Sequence, residues 1–156
     1  MVNNKILIIA EAGINHNGNL KQALKMVDIA SKAKADFVKF QTFDPESLTT
    51  KNLGLADYQK KGSNKKTHLK LLKSLMLSKK DFKKIIVRCK KKKIKFLSSP
   101  FDIGSIKILK NLKVKIFKIP SGEINNIPYL RYIGSLKKKI ILSTGMSNLS
   151  EVKSAI

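Results

Sequence analysis

The residues of this sequence that could do chemistry are two lysines, an amide, three serines and two carboxylates, each within or just after a short apolar run. They are Glu11, Lys39, Gln41, Ser99, Lys118, Ser121, Glu123 and Ser143. A phosphate or carboxylate that leaves water needs fixed cations and several short donors to replace its hydration. Ammonium groups and hydroxyls supply both, and Gly122 and Gly145 beside them would let the backbone approach a ligand. The set therefore predicts a pocket for a small, oxygen-rich anion.

The elements that must position these residues are five short apolar runs that alternate with stretches of helical periodicity. The runs are residues 6–10, 37–40, 94–97, 114–119 and 140–142. This alternation is typical of a parallel α/β fold. The carboxyl ends of parallel strands meet at one edge of the sheet, and the polar residues are therefore expected to converge there.

Helices are predicted between the runs from apolar residues spaced three and four apart. Ser78 and Asp81 resemble a capping box at the start of one helix, and Cys89 falls on its buried face. The other predicted helices start at Leu20, span 103–112, run from Pro128 to just before Gly134, and start near Ser147. Residues 43–66 are predicted to form a long polar insertion, a type of loop that is usually functional or mobile.

Composition limits the possible function classes. The 33 lysines and arginines against 10 acidic residues give a net charge of +23, which favours binding to anions. Only Arg88 and Arg131 are arginines, whereas base and phosphate recognition relies on the guanidinium fork. The lysines are either solvated helix faces or a loosely nucleic-acid-binding surface; no specific nucleic-acid partner is expected.

The apolar runs and the cysteine count exclude further classes. No run approaches the roughly 20 apolar residues that a spanning helix needs, and residues 6–10 are too short for the core of a signal peptide. We therefore expect a cytoplasmic protein without a membrane partner. A single cysteine, Cys89, cannot form an internal disulfide, and no Cys/His spacing of a structural zinc site is present.

Spacing alone leaves alternatives open for the two lysines. Lys39 and Lys118 could be strand residues that extend their ammonium groups to solvent, with the hydroxyls serving only as helix caps. Lys118 could also be the Schiff-base lysine of an aldolase-type barrel.

Five segments together are similar to those of a known family. IAEAGINHNG (9–18), ADFVKFQTF (35–43), FLSSPFD (96–102), FKIPSGE (117–123) and LSTGM (142–146) occur in the order found in sialic acid synthases, the N-acetylneuraminate synthase family. Legionaminic and pseudaminic acid synthases carry the same signatures. The resemblance covers essentially the whole chain.

The resemblance implies a TIM (β/α)8-type barrel, of which residues 1–156 would supply about the first five βα units. Later strands and a C-terminal antifreeze-like domain would lie outside this chain. An unclosed sheet would leave unpaired edges, so the isolated chain is expected to fold poorly, to self-associate or to be completed by another polypeptide, and to lack full synthase activity. The complete enzyme is expected to be a homodimer.

The implied reaction is condensation of phosphoenolpyruvate with the open-chain aldehyde of N-acetylmannosamine, with release of phosphate. A divalent metal, manganese or magnesium, would polarise the aldehyde, with ligands that are not in this chain. The alternatives are a legionaminic or pseudaminic acid synthase, or a catalytically inactive fragment that binds anions.

The resemblance also implies roles for individual residues. Glu11 would act on the sugar side of the site, Gln41 would contact the sugar, and Glu123 would engage metal-bound water. Phosphoenolpyruvate would be held by Lys39, Ser99, Lys118, Ser121 and Ser143. Asn15 and His16 match the loop after the first strand, where fixing the turn is an equally good interpretation, and His68 is expected to be a surface residue of an amphipathic helix.

Overall fold

A computed structural model describes residues 6–60 and 64–156. The strands in these ranges are β1 (Ile9–Gly13), β2 (Phe37–Thr42), β3 (Lys95–Pro100), β4 (Ile116–Ile119) and β5 (Lys139–Leu142). The helices are α1 (Leu20–Lys32), α2 (Pro45–Leu48), α3 (Asp57–Lys60), α4 (His68–Leu75), α5 (Lys79–Lys91), α6 (Ile103–Asn111), α7 (Ile127–Ser135) and α8 (Leu149–Ala155). A 3₁₀ turn, Ser121–Glu123, follows β4. None of the described helices combines the length and apolar character needed to cross a lipid bilayer.

All the strand pairs are parallel, as the sequence predicts. β1, β2 and β3 pair in chain order in one sheet, and β4 pairs with β5 in a second. β4 lies against β3, so the two sheets are neighbours. The spatial order follows the chain order, as in barrels, whereas a doubly wound sheet reverses its order at a switch point.

Two apolar clusters pack the helices against the strands. The first lies between α1, α5 and the first sheet, and Val27, Phe40 and Ile85 are completely buried in it. The second joins α6 and α7 to β4 through Leu109, Phe117 and Ile133, among others. Phe96 and Leu112 pack against both clusters, which makes the core continuous across the boundary between the two sheets.

The predicted helix starts at Leu20 and Ser78 are confirmed, and their caps explain why. The Asn19 side chain accepts a hydrogen bond from the Gln22 N–H at the start of α1. Ser78 and Asp81 form both bonds of a capping box at the start of α5, which satisfies amide groups that have no partner within the helix. Cys89 is buried as predicted, and burial raises the pKa of its thiol to about 12, so the thiol stays protonated and unreactive.

The predicted start of the first strand was wrong. Residues 6–8 are apolar but exposed, and the ladder begins only where Ile9 pairs with Phe37. The apolar run therefore overestimates the strand at its beginning and misses its end, which reaches Gly13. β4 likewise starts at Ile116 rather than at residue 114.

The predicted end of the fourth helix was also wrong. Gly134 lies inside α7, and the residue with left-handed backbone beyond the helix is Lys137, with φ of 50°. Lys34, Lys93 and Lys113 occupy the same position after α1, α5 and α6, with φ of 59°, 55° and 58°. Glycine is the usual residue at this position. Because this chain has lysine there instead, using Gly134 as the sign of the helix end placed the end of α7 too early.

Residues 43–66 are not one extended loop. They contain the short helices α2 and α3, while residues 61–63 lie outside the described ranges. His68 is the first residue of α4 and is partly exposed, and its Nδ1 is shielded from solvent and has no hydrogen-bond partner among residues 6–60 and 64–156. The predicted helix is therefore confirmed, and His68 lies at its surface with a side chain that is partly rather than fully exposed.

Gly18 sets how closely the loop after β1 approaches α4. Its φ is +69°, and a Cβ built on it would lie 2.2 Å from the backbone oxygen of Ser74. That separation is far below any real contact, and the backbone oxygen cannot move without unfolding the end of α4. Only glycine fits this position.

We expect Gly18→Ala to lower the free energy of unfolding by more than about 1 kcal/mol, because it combines left-handed strain with a backbone clash. Gly134→Ala is the matched control, since a Cβ there meets nothing within 4 Å and α-helical alanine is favoured. Urea unfolding of both variants measures the difference. Equal stability of the two variants would contradict this account of the loop.

Candidate active site

Alternation of side chains along the strands divides each sheet into two faces. Val38 and Phe40 of β2 point to the helices in the first apolar cluster, so Lys39 and Gln41 point to the opposite face. In β4, Phe117 and Ile119 belong to the second cluster, which leaves Lys118 on that same opposite face. The face away from the helices therefore carries both predicted lysines.

Strand register places Glu11 beside Lys39. The two residues are direct partners in the β1–β2 ladder, and the Lys39 Nζ lies 2.5 Å from the Glu11 Oε2. The Lys39 side chain is 13% exposed, whereas that of Glu11 is 53% exposed. A largely buried ammonium is thus neutralised by a carboxylate that solvent still reaches.

Lys118 lies close enough to Lys39 for the Lys39 charge to affect the pKa of Lys118. Burial lowers the pKa of Lys118 from its usual value, the Lys39 charge lowers it further, and Glu11 raises it in part. The Lys118 Nζ donates to the carbonyl oxygen of Ile119 at 2.9 Å. An ammonium has three donors, so this bond leaves capacity for a ligand. Two amines and one carboxylate therefore form a small cationic centre that an anion would stabilise.

A bulge in β1 shapes the wall of this centre. The pairing with β2 shifts between Glu11 and Gly13, and Gly13 has φ of +54°. A Cβ on Gly13 would lie 3.2 Å from the Glu11 Oε1 and 3.9 Å from the Gln41 Nε2. The absence of a side chain at Gly13 thus leaves room between a carboxylate and an amide.

The loops after β4 and β5 meet at the same edge. The Ser143 amide donates to the Ile119 carbonyl at 3.1 Å, which extends the β4–β5 ladder past Leu142. A Cβ on Gly145 would lie 3.6 Å from the Ser121 Oγ. Ser121 and Ser143 are both partly exposed at the ends of adjacent strands.

Ser99 is held at the end of β3 by buried contacts on either side of it. Ser99 is 2% exposed and pairs in register with Gln41. The preceding Ser98 shares a 2.7 Å hydroxyl hydrogen bond with Thr42, and the Tyr129 hydroxyl donates to the Pro100 carbonyl at 2.8 Å. These bonds fix the carboxyl end of β3 relative to β2 and α7.

Glu123 has different neighbours from the cationic centre. Its Oε2 accepts a 2.7 Å hydrogen bond from the Asn126 Nδ2. Burial raises the pKa of Tyr129, and the charges of Glu123 and Asp102 add to this, whereas Glu123 is not among the groups that shift Lys118. The two predicted carboxylates therefore act in different surroundings, Glu11 beside the lysines and Glu123 beside α7.

His16 fixes the turn after β1. It is 1% exposed, and its Nδ1 accepts a 3.1 Å hydrogen bond from the Gly18 N–H. Burial lowers the pKa of His16, which the nearby Gly13 backbone only partly offsets, and the neutral ring can therefore remain an acceptor. This geometry supports the structural interpretation of His16.

Reasoning from the sequence did not identify all the residues whose hydrogen bonds hold the strand ends of the site in place. Tyr129 looks like an ordinary core aromatic of a helix, and nothing in its spacing indicates a bond to Pro100. The Thr42–Ser98 pair joins residues 56 positions apart. Asp102 was recognisable, because an aspartate just after a strand and before a helix is a common N-cap, and its side chain accepts from the amides of Ser105 and Asp44.

The described residues do not by themselves form a metal site. No three histidine, cysteine, aspartate or glutamate side chains within 6–60 and 64–156 come together as a ligand set. Glu123 is a single carboxylate already bonded to Asn126, and a lone carboxylate is too few ligands for a dedicated site. The residues present here therefore do not fit a complete site for manganese or magnesium.

We expect the affinity for inorganic phosphate to fall as pH rises through the lowered pKa of Lys118, since the amine then loses the charge that attracts the anion. The fall should begin at a lower pH than an ordinary lysine would give. Calorimetric titration with phosphate across pH measures it. Lys118→Arg is the control, because a guanidinium stays charged and should abolish this part of the pH dependence. An unchanged pH profile in Lys118→Arg would exclude Lys118 as the titrating group.

We expect Tyr129→Phe to lower the free energy of unfolding by about 1–3 kcal/mol, because it leaves the buried Pro100 carbonyl without its donor. Tyr132→Phe on the same helix is the matched control, at a position that is only partly buried, and should change stability by about 0.5 kcal/mol or less. Urea unfolding compares the two. A loss in Tyr132→Phe as large as that in Tyr129→Phe would refute the bracing role of the Tyr129 hydroxyl.

Comparison with known proteins gives one matching family and several sugar-acid synthases among the relatives. The NeuB family profile matches residues 26–156. The N,N'-diacetyllegionaminic acid synthase of Campylobacter jejuni is 50% identical over 153 residues, which cover 97% of this chain and 46% of that protein. The enzyme of the same name from Legionella pneumophila is 46% identical over 150 residues, covering 96% of this chain and 42% of the relative.

A solved structure agrees with these relatives. The N-acetylneuraminic acid (sialic acid) synthetase of Leptospira borgpetersenii, crystallised in complex with citrate, superposes with a TM-score of 0.84 at 37% identity. The match covers 97% of this chain and 49% of that one. The chain spans about half the length of the relatives it matches. On the extent of the profile match, and on the five motifs at its strand ends, the chain belongs to the NeuB family.

Proposed function

We propose that this chain is the phosphoenolpyruvate-binding part of a nonulosonic acid synthase, and that its βα units form the beginning of a (β/α)8 barrel. The single observation that supports this most is the cationic centre formed by Lys39, Lys118 and Glu11 at the open face of parallel strands. Membership of the NeuB family and the names of the relatives support the same reaction class.

The charge of the centre suits a phosphorylated carboxylate. The two ammonium groups and the Glu11 carboxylate sum to about one positive charge, and phosphoenolpyruvate would bring two to three negative charges. Lys118 gains most from such a ligand, because the ligand would offset the Lys39 charge that lowers its pKa. The citrate complex of the Leptospira relative shows that a member of this fold can hold a small polyanion.

The roles that we assign to the side chains are those implied by the family resemblance, and the positions of the side chains are compatible with them. Lys39 and Lys118 would bind the phosphate and carboxylate, and Ser99, Ser121 and Ser143 would donate hydroxyl hydrogen bonds from the ends of β3, β4 and β5. Glu11 and Gln41, on either side of the space left by Gly13, would face the sugar and move or hold a proton at its aldehyde oxygen. The expected Mn²⁺ or Mg²⁺ has no ligand set in the described residues, so these roles involve side chains alone.

The proposed reaction forms one carbon–carbon bond. C3 of phosphoenolpyruvate attacks the sugar aldehyde, water adds at C2, and phosphate leaves with C–O cleavage. The water that adds at C2 gives up one proton, and the alkoxide formed from the aldehyde takes one up. Glu11, the carboxylate paired with Lys39, would pass the proton from one to the other. The identities to the Campylobacter and Legionella enzymes favour a bis-acetamido trideoxy hexose over N-acetylmannosamine as the sugar.

Binding of phosphoenolpyruvate to the 156-residue chain tests the first part of the proposal. We expect Lys118→Ala to weaken binding by about tenfold or more, as for loss of a charge-assisted hydrogen bond. Lys107→Ala, an exposed lysine of α6, is the control for net charge and should bind as the parent does. Equal binding by both variants in calorimetry would refute the assignment of the site.

Turnover tests the second part of the proposal. The chain would be joined to the C-terminal half of the Campylobacter relative, and phosphate release would be followed with manganese and a panel of sugars. We expect the bis-acetamido trideoxy hexoses to release phosphate faster than N-acetylmannosamine. Phosphoenolpyruvate binding without phosphate release from any sugar would instead support an anion-binding fragment.

A further inference from the structure

A cavity opens near the amino ends of the strands, away from the cationic centre. It has a volume of about 1040 Å³ and is lined by the first residues of β2, β3, β4 and β5 together with α5 and the segment after α6. Lys39 and Lys118 of the cationic centre lie two residues further along their strands than Phe37 and Ile116, which line the cavity. Two residues of strand span roughly 7 Å, so the cavity lies towards the amino ends of the strands and the cationic centre towards their carboxyl ends.

The rim of this cavity is cationic. Seven lysines line it, among them Lys95, Lys115 and Lys139, and no acidic side chain is part of the lining. Within the described ranges none of these seven ammonium groups forms an ion pair with a carboxylate. The Lys95 Nζ instead lies 5.3 Å from the centre of the Phe37 ring.

The negative carboxyl ends of the neighbouring helix dipoles offset only a small part of this positive charge. The carboxyl ends of α5, α6 and α7 all point to this side of the sheet, and each contributes roughly half a negative charge. Three such ends sum to roughly −1.5, against the seven positive charges of the rim. Neutralising the helix ends therefore leaves most of the lysine charge uncompensated.

The floor of the cavity is apolar and partly aromatic. Phe37, Ile86, Ile94, Phe96, Leu112 and Ile116 form most of it. The volume is close to the roughly 300–1,000 Å³ of sites that bind one small molecule. The lining contains no arginine, asparagine or glutamine to read base edges.

We propose that this cavity, which we call the lysine-rimmed cavity, binds a nucleotide, with the planar ring on the apolar floor and the phosphates on Lys95, Lys115, Lys139 and their neighbours. An inorganic anion would use only the rim, and an uncharged ring would use only the floor. A nucleoside triphosphate uses both, so its affinity exceeds that of either part. The site lies outside the proposed reaction centre and does not depend on the proposed function.

The test titrates the full 156-residue chain with metal-free ATP, with tripolyphosphate and with adenosine, at moderate salt. Its main variant, the cavity variant, is Lys95→Gln/Lys115→Gln/Lys139→Gln. It keeps Lys113 and Lys137, whose φ is positive, so no substitution is made at a position with left-handed backbone. Lys83→Gln/Lys84→Gln/Lys107→Gln removes the same charge from exposed helix positions outside the cavity. Lys118→Ala would remove one of the two lysines of the proposed anion site at the cationic centre. Circular dichroism and urea unfolding check that each variant is folded.

We expect ATP to bind more tightly than tripolyphosphate or adenosine, and the cavity variant to lose at least tenfold in affinity for ATP. The helix-face variant, Lys83→Gln/Lys84→Gln/Lys107→Gln, and Lys118→Ala should each change the affinity for ATP by less than twofold. An equal loss in the helix-face variant would overturn the proposal in favour of unspecific attraction by net charge. Loss in Lys118→Ala would place ATP at the other site, and equal affinity for ATP and tripolyphosphate would exclude a role for the floor.

Discussion

The site depends on one constraint, the parallel register that holds two like-charged side chains near each other on a partly buried face. Register makes Glu11 the ladder partner of Lys39, and the resulting ion pair compensates one of the two ammonium charges. Among the described residues the Lys118 ammonium donates to a backbone carbonyl and pairs with no carboxylate, and its pKa is lowered by burial and by Lys39. The protein thus keeps a charge arrangement that is unfavourable without an anion, which is the electrostatic condition for binding one.

The loops around this centre are held by contacts that do not themselves carry charge. His16 accepts from Gly18 and closes the turn after β1, while the absence of a side chain at Gly18 lets that turn lie on α4. Tyr129 and the Thr42–Ser98 pair hold the end of β3. Positioning at the site therefore comes from neutral, buried hydrogen bonds, which keep their strength when surface charges are screened by salt.

Much of the fold could be predicted from the sequence because it rests on local signals. The capping box of Ser78 and Asp81, the core position of Cys89 and the order of strands and helices all follow from spacing within about twenty residues. The errors at the start of β1 and the end of α7 occurred because local sequence patterns do not show which residues pair or pack in the tertiary structure. Residues 6–8 are as apolar as a strand but are exposed and precede the ladder, which begins at Ile9. Lys137 has the left-handed backbone that is usual for glycine after a helix, whereas Gly134 lies inside the helix.

For the site, the sequence by itself determined which residues stand at the ends of strands, because alternation and strand order are properties of the chain. Only the tertiary structure decided which of them interact. Glu11, within β1, pairs with Lys39, whereas Glu123, in the turn after β4, accepts from Asn126 and adds to the raised pKa of Tyr129. The physical reason is that charge coupling depends on distances across the sheet and on burial, and neither quantity is encoded in the spacing of residues along one strand.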